Sequence, residues 1–362
     1  EILPQATAEY DAEGGTAILV INRQKKHEYG LSGYVGSEYE RKSRNSFSEF
    51  AGMTYSWGNL ALYANMASGQ SASRSKTEED DYGKDVIIDS HSESKDKGHY
   101  YMPKLGIDFN ISSKQYLGIE WSGSYSRDYS NDCLVNSSIV NNDTYPIYIK
   151  SFAPYSLRNH ANNATLNYEW ATDTLGGRLQ VIADYAGKRE RDLQEYENRY
   201  TLGSPADSII SKSQPSYENI DIYSAQVDFS KSLKQHKFNI GAKYVYADIG
   251  YNSRMFLGNT TLAGVLTEDA EQRDDFKYYE QRFAVYGMYR FSSHPWDVQV
   301  GVRDEYTEWN TRQRVKDQLH NSSNENRFFP SFSIRRDLEK GNALSLSYTQ
   351  SINRPSYQMV NP

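Results

Sequence analysis

The feature that most limits what this chain can become is a side-chain alternation repeated about a dozen times. Trp296, Val298, Val300 and Val302 fall on one side of a period of two; Asp297, Gln299, Gly301 and Arg303 fall on the other. A strand built this way has one apolar and one polar face. Leu105, Ile107, Phe109 and Ile111 alternate with Gly106, Asp108 and Asn110 in the same manner, and Leu117, Ile119 and Trp121 with Gly118, Glu120 and Ser122. Tyr223, Ala225, Val227 and Phe229 oppose Ser224, Gln226, Asp228 and Ser230. The pattern predicts 13 strands, at 29–40, 47–57, 60–69, 101–111, 116–129, 159–170, 177–189, 219–233, 237–253, 276–291, 296–310, 326–336 and 343–352. Most exceed the usual strand mode of about 5–6 residues. They reach the roughly 9–11 residues that a tilted strand needs to cross a bilayer.

The connections alternate in length as well. Short ones fall at 58–59, 112–115, 171–176, 234–236, 292–295 and 337–342. Long ones fall at 70–99, 130–158, 190–218, 254–275 and 311–325. After a short first hairpin at 41–45, up-and-down pairing places every short turn on one rim and every long connection on the other. Outer-membrane barrels have this asymmetry, with short periplasmic turns and long extracellular loops. A soluble sandwich has no reason for it.

Composition agrees. Only 38% of residues are hydrophobic, low for a soluble globule of this length, whereas 31 are tyrosine. Tyr and Trp join an apolar body to a polar tip and suit a membrane–water boundary. Trp57, Trp170 and Trp296 each adjoin a short turn, so one rim is expected to carry an aromatic girdle. No run approaches the roughly 18 apolar residues of a membrane-spanning helix; the longest is the five residues 17–21. The net charge of −7 argues against nucleic acid as a partner. Cys133 is the lone cysteine, so no internal disulfide forms, and it reads as an incidental loop residue.

A charge on a lipid-facing position costs about 2–4 kcal/mol at the bilayer midplane. The charged face must therefore be wet or paired. Candidate residues of a barrel lumen are Asp108, Glu120, Gln226, Asp228, Asp297, Gln299 and Arg303, with pairing among themselves the simpler role and substrate contact the sharper one. The acidic run Glu78, Glu79, Asp80 and Asp81 offers oxygen ligands of the kind calcium takes, but its spacing fits no calcium loop, and a solvated charge run is the plainer reading. No metal or other cofactor is expected. Seven histidines are scattered without a Ser/His/Asp arrangement, so an enzyme is not expected either.

Residues 1–26 differ from the rest: turn chemistry from Tyr10 to Gly15 is followed by the continuous apolar run Ala17, Ile18, Leu19, Val20 and Ile21, read as a strand covered on both faces. The segment from Ala8, Glu9, Tyr10, Asp11, Ala12, Glu13 and Gly14 through Ile21 to Lys25 and Lys26 resembles the end of the plug domain of TonB-dependent receptors, the closest likeness being to the outer-membrane β-barrel family of Bacteroidota. Glu9 stands where that family usually has Arg. A second stretch resembles the family's mid-barrel signature. It runs through Ser345 to Tyr348, then Ile352, Asn353, Arg354, Pro355, Ser356 and Tyr357, then Asn361 and Pro362.

The resemblance implies an all-β chain in two parts: 1–26 as the C-terminal end of a plug, and 27–362 as part of a transmembrane antiparallel up-and-down barrel. It implies about 22 strands in the whole barrel, of which 13 are here. The chain opens on Glu1 and stops at Pro362 in mid-pattern, so it reads as a piece of a longer protein. The implied function is TonB-dependent uptake of a scarce or bulky nutrient across the outer membrane of a Gram-negative cell. The implied partners are outer-membrane lipid, the TonB complex reached through an N-terminal part, an unknown substrate and a surface lipoprotein. The alternative is a passive channel or surface-binding barrel of about 14 strands without energy coupling.

Overall fold

The computed structural model describes residues 2–3, 18–19, 29–82, 86–141, 147–202, 208–313, 320–338, 341–352 and 354. The described residues form sixteen strands and no α-helix. β1 (Ile2–Leu3) pairs with β2 (Ile18–Leu19) as a small antiparallel ribbon. The rest of residues 1–28, on which the plug reading mostly rests, lies outside the described residues.

β3 (Gly30–Arg41) to β16 (Ala343–Thr349) form one antiparallel sheet of 14 strands in sequence order. Between them run β4 (Asn45–Trp57), β5 (Leu60–Tyr82), β6 (Val86–Ser112), β7 (Gln115–Asn141), β8 (Ile147–Phe152), β9 (Tyr155–Ala171) and β10 (Arg178–Leu202). β11 (Ser208–Leu233), β12 (His236–Gly258), β13 (Thr267–Ser293), β14 (Trp296–Gln313) and β15 (His320–Asp337) follow. β8 and β9 both lie between β7 and β10 and are interrupted only at Ala153 and Pro154. They make one crossing, so the sheet crosses thirteen times, as the alternation predicts. Pro154 has no N–H to give the ladder, which accounts for the break.

The short turns are tight where the sequence places them. Trp57 pairs with Leu60 around Gly58 and Asn59, and Gly58 sits at φ 62°, a conformation glycine takes without strain. The long connections differ from expectation. Their composition predicts loops, but strand pairing continues through most of them. From Gln70 opposite His99 the β5–β6 ladder runs on to Tyr82 opposite Ile87, and β10–β11 runs from Glu190 opposite Glu218 to Tyr200 opposite Ser208. β6, β7 and β13 each reach 27 residues, far more than one crossing requires.

The two faces of the sheet are opposite in chemistry and in exposure. Val300 and Val302 on β14, Phe283 and Val285 on β13, and Leu344 and Leu346 on β16 are exposed. Arg303 and Glu305, between them in the alternation, are each 1% exposed. A water-soluble sheet does the reverse. The apolar face is the outer wall and the polar face the inner wall. Inner-wall tyrosines lie across glycines of the neighbouring strand: Tyr100 covers Gly69 and Tyr286 covers Gly241, where an added Cβ would come within 2.6 Å of the ring. Among the described residues β3 and β16 are not paired with each other, so the sheet has two free edges.

Candidate functional site

The inner wall is where chemistry-bearing side chains collect, because alternation sends most polar residues of a crossing strand to that side. The largest assembly spans β11, β13 and β14. Gln226 donates to Asp228 Oδ2 at 2.8 Å and to Tyr286 Oη at 2.9 Å, and Tyr286 donates its hydroxyl to Asp228 Oδ1. The Arg303 guanidinium lies over the Tyr286 ring, 5.6 Å from its centroid. Arg303 also donates twice to Glu305 Oε2, at 3.0 and 2.9 Å. Arg354, from the segment after β16, reaches Glu305 Oε1, and Arg282 Nε is 3.8 Å from the same oxygen. Arg282 then donates to Glu280 at 2.6 Å, and Tyr278 donates to Glu280 at 2.5 Å. Three arginines thus face three carboxylates within this assembly. A buried charge is tolerated only when paired in this way.

A second, separate cluster lies on β5, β6 and β7. Tyr63 donates to Glu120 Oε2 at 2.7 Å, Lys104 Nζ is 2.9 Å from Glu120 Oε1, and Tyr116 donates to Asp108. Asp297 stands apart near the short-turn rim, held by Arg290 at 2.8 to 3.1 Å. Gln299 is half-buried one step further along the same face, opposite Arg290 and Ser333. All seven candidates therefore lie on one wall but in three places: Gln226, Asp228 and Arg303 in the first assembly, Asp108 and Glu120 in the second, and Asp297 and Gln299 near the rim.

The sequence reading missed Tyr278, Glu280, Arg282, Tyr286, Glu305 and Arg354. Glu305 was legible, since it continues the polar face two residues beyond Arg303. Arg354 was not, because it follows the last regular strand and no periodicity tells where it points. Trp57, Trp170 and Trp296 all sit on the short-turn rim and are exposed. Near Trp170 a recess of about 470 Å³ opens between the β7, β9, β10 and β11 ends, lined by Tyr116, Glu169 and Arg178 among others. Glu169 there is paired with Arg178 at 2.8 Å.

Among the described residues no three His, Cys, Asp or Glu side chains converge as metal ligands do. Cys133, on the projecting part of β7, is half-buried, and burial pushes its thiol above the usual range. A raised thiol is a weak nucleophile.

Fold comparison gives a like answer. The siderophore receptor PiuA from Acinetobacter baumannii matches with a TM-score of 0.57 at 11% identity, over 91% of this chain and 50% of that one. This chain therefore spans half the length of that receptor. The outer membrane protease OmpT from Escherichia coli (14% identity, 80% of this chain and 96% of that one, TM-score 0.25) and the CymD monoaromatic hydrocarbon channel (8%, 91% and 90%, 0.27) match too loosely to carry an argument. No curated protein matches the chain. The sequence profile of one family matches residues 170–362, just over half of the chain and most of the strands of the inner-wall network. With apolar strands facing outward, paired charges inward and this match across the second half, the chain belongs to the outer membrane protein beta-barrel family and crosses the outer membrane many times.

Proposed function

We propose that this chain forms part of a plugged, TonB-dependent transporter that takes up a scarce or bulky nutrient across the outer membrane. The observation that carries the reading is a charged inner wall on a sheet whose edge strands β3 and β16 are not joined among the described residues. An open edge in lipid leaves backbone groups unsatisfied at several kcal/mol each. Further strands closing the ring would make a barrel wide enough to need a plug, as the largest outer-membrane transporters have. The fold likeness to a siderophore receptor twice as long supports the same reading. So does the resemblance of residues 8–26 to a plug terminus.

In this reading the Asp228–Tyr286–Arg303–Glu305 network is a wall that a solute or plug passes, not a reaction centre, and the protein is not an enzyme. Its partners are lipid, a TonB-type complex acting on an N-terminal segment, the solute and a surface lipoprotein. Planar-bilayer recording of the full-length protein tests this. A plugged transporter holds no steady ion current and opens when low urea loosens the plug. A steady current in plain buffer would establish a passive channel instead.

A further inference from the structure

The outer wall of β7, β9 and β10 is largely apolar near the short-turn rim and becomes polar, then cationic, toward the long hairpins. Arg127 pairs directly with Arg158, and Arg158 directly with Arg191. The ladders run without a break from the Leu117–Tyr168–Val181 row to this one, so all three arginines are on the outer face, and all three are exposed. Like charges directly opposite across strands destabilise a sheet. Here three stand in a row.

Among the described residues no carboxylate pairs with Arg127, Arg158 or Arg191. Their outer-face neighbours two positions along each strand are Tyr125 and Tyr129, Ser156 and His160, and Arg189 and Leu193. The acids on that face nearest to the row are Glu195, four positions beyond Arg191 and accepting from Ser213 at 3.4 Å, and Asp221, already engaged by Arg189 at 2.6 Å and by Tyr185 at 2.9 Å. On β6, His99 stands opposite Arg127, and Lys97, opposite Tyr129, adds a positive charge two positions further along the same face. Two of the guanidiniums are oriented by tyrosines, Arg127 over Tyr129 at 5.2 Å and Arg191 over Tyr217 at 5.8 Å. Stacking of this kind leaves the N–H edges free to bind.

The level of the row identifies what it meets. Each arginine lies ten residues beyond the Leu117–Tyr168–Val181 row. Ten residues at about 3.4 Å, tilted about 40°, rise roughly 25 Å, the height of a barrel's apolar band. The row is therefore at the headgroup level of the leaflet on the long-hairpin side, which in outer-membrane barrels is the external one. From first to last arginine is about 10 Å, two strand spacings, so three such side chains can converge on one tetrahedral anion.

We propose that Arg127, Arg158 and Arg191 bind the phosphate of an outer-leaflet lipid headgroup. The site would fix a lipid on the barrel's outside, over β7, β9 and β10. The test uses the full-length protein, delipidated in detergent, with binding read by native mass spectrometry. The probes are monophosphoryl lipid A and the same lipid without its phosphate. The phosphorylated lipid should bind at least tenfold more tightly. Arg158→Gln should weaken it roughly tenfold, the worth of one charge-assisted contact, without changing the phosphate-free lipid. Lys42→Gln, on a hairpin of the same rim, should change neither. Equal binding of the two lipids, or of wild type and the triple glutamine variant, would overturn the proposal. So would displacement of the lipid by excess inorganic phosphate, which marks a free-anion site, or photo-crosslinking from position 156 in cells to a protein instead of lipid. Should the triple variant fail to fold, the two-lipid comparison on wild type still decides.

Discussion

The lower and upper halves of the long strands obey different rules. Between the short-turn rim and the Arg127 row, side chains mostly alternate and the inner-wall charges are buried and networked. Above that row β5, β6, β10 and β11 stay paired, but the alternation dissolves. Residues 73–82 of β5 are all exposed. The backbone does the same thing in both halves, so strand formation alone does not produce the pattern. The pattern comes from the surroundings: hydrocarbon on one side and a polar interior on the other in the lower half, water on both sides in the upper.

The largest consequence is for ion pairs. Glu305→Gln leaves Arg282, Arg303 and Arg354 without the carboxylate they share, and removing one partner of a buried pair costs about 3–5 kcal/mol. Glu93→Gln in the projecting hairpin breaks an exposed pair with Arg74, and stability should not change measurably. Urea unfolding of the two variants in lipid vesicles checks this. Equal losses would mean that the halves are not distinct.

That division also explains what could be read in advance. All thirteen crossings and the alternation of short and long connections were legible, because each crossing strand such as 105–111 carries the mark of two solvents. The projecting hairpins were not. A stretch such as Ser71, Ala72, Ser73, Arg74, Ser75 and Lys76 has no face to protect, so its composition is that of a loop even though it pairs residue by residue with 93–98. The candidate site was half legible for a related reason. Alternation tells which wall Asp228 and Arg303 occupy, but not that Tyr286 bridges them from a strand between. Register across strands is set by turns and bulges that periodicity does not report.

A second contrast concerns single charges on the outer face. Val300 lies roughly 10 Å from the Trp296 level at a tilt of about 40°, near the middle of the apolar band. Val300→Arg should cost about 2–4 kcal/mol of folding free energy into bilayers. Ser75→Arg, in the upper half, should stay within about 0.5 kcal/mol. If both substitutions are silent, the Val300 face does not meet lipid. Spin labels at 300 and 299 sharpen the point: oxygen should relax the first and a water-soluble agent the second.

The smallest expected effect lies at the opposite rim, in the turn after β9. Asp173 accepts from the backbone N–H groups of Leu175 and Gly177, at 2.8 and 2.9 Å, and takes a proton-bearing contact from Lys231. The Lys231 ammonium is the main reason its carboxyl is held down at about 2, against an ordinary 3.8. A carboxylate whose folded value is depressed stabilises the fold above its unfolded value and loses that contribution as the pH falls. The stabilisation should thus be complete above about pH 4 and fade as the pH drops toward 2. Asp173→Asn keeps the backbone contacts but cannot ionise, so its stability should show less acid dependence across that window. The turn is exposed and the pair is screened by salt, so the difference should shrink as ionic strength rises. A wild type and variant with parallel acid profiles would place Lys231 off Asp173 in solution, leaving the turn held by backbone bonds alone.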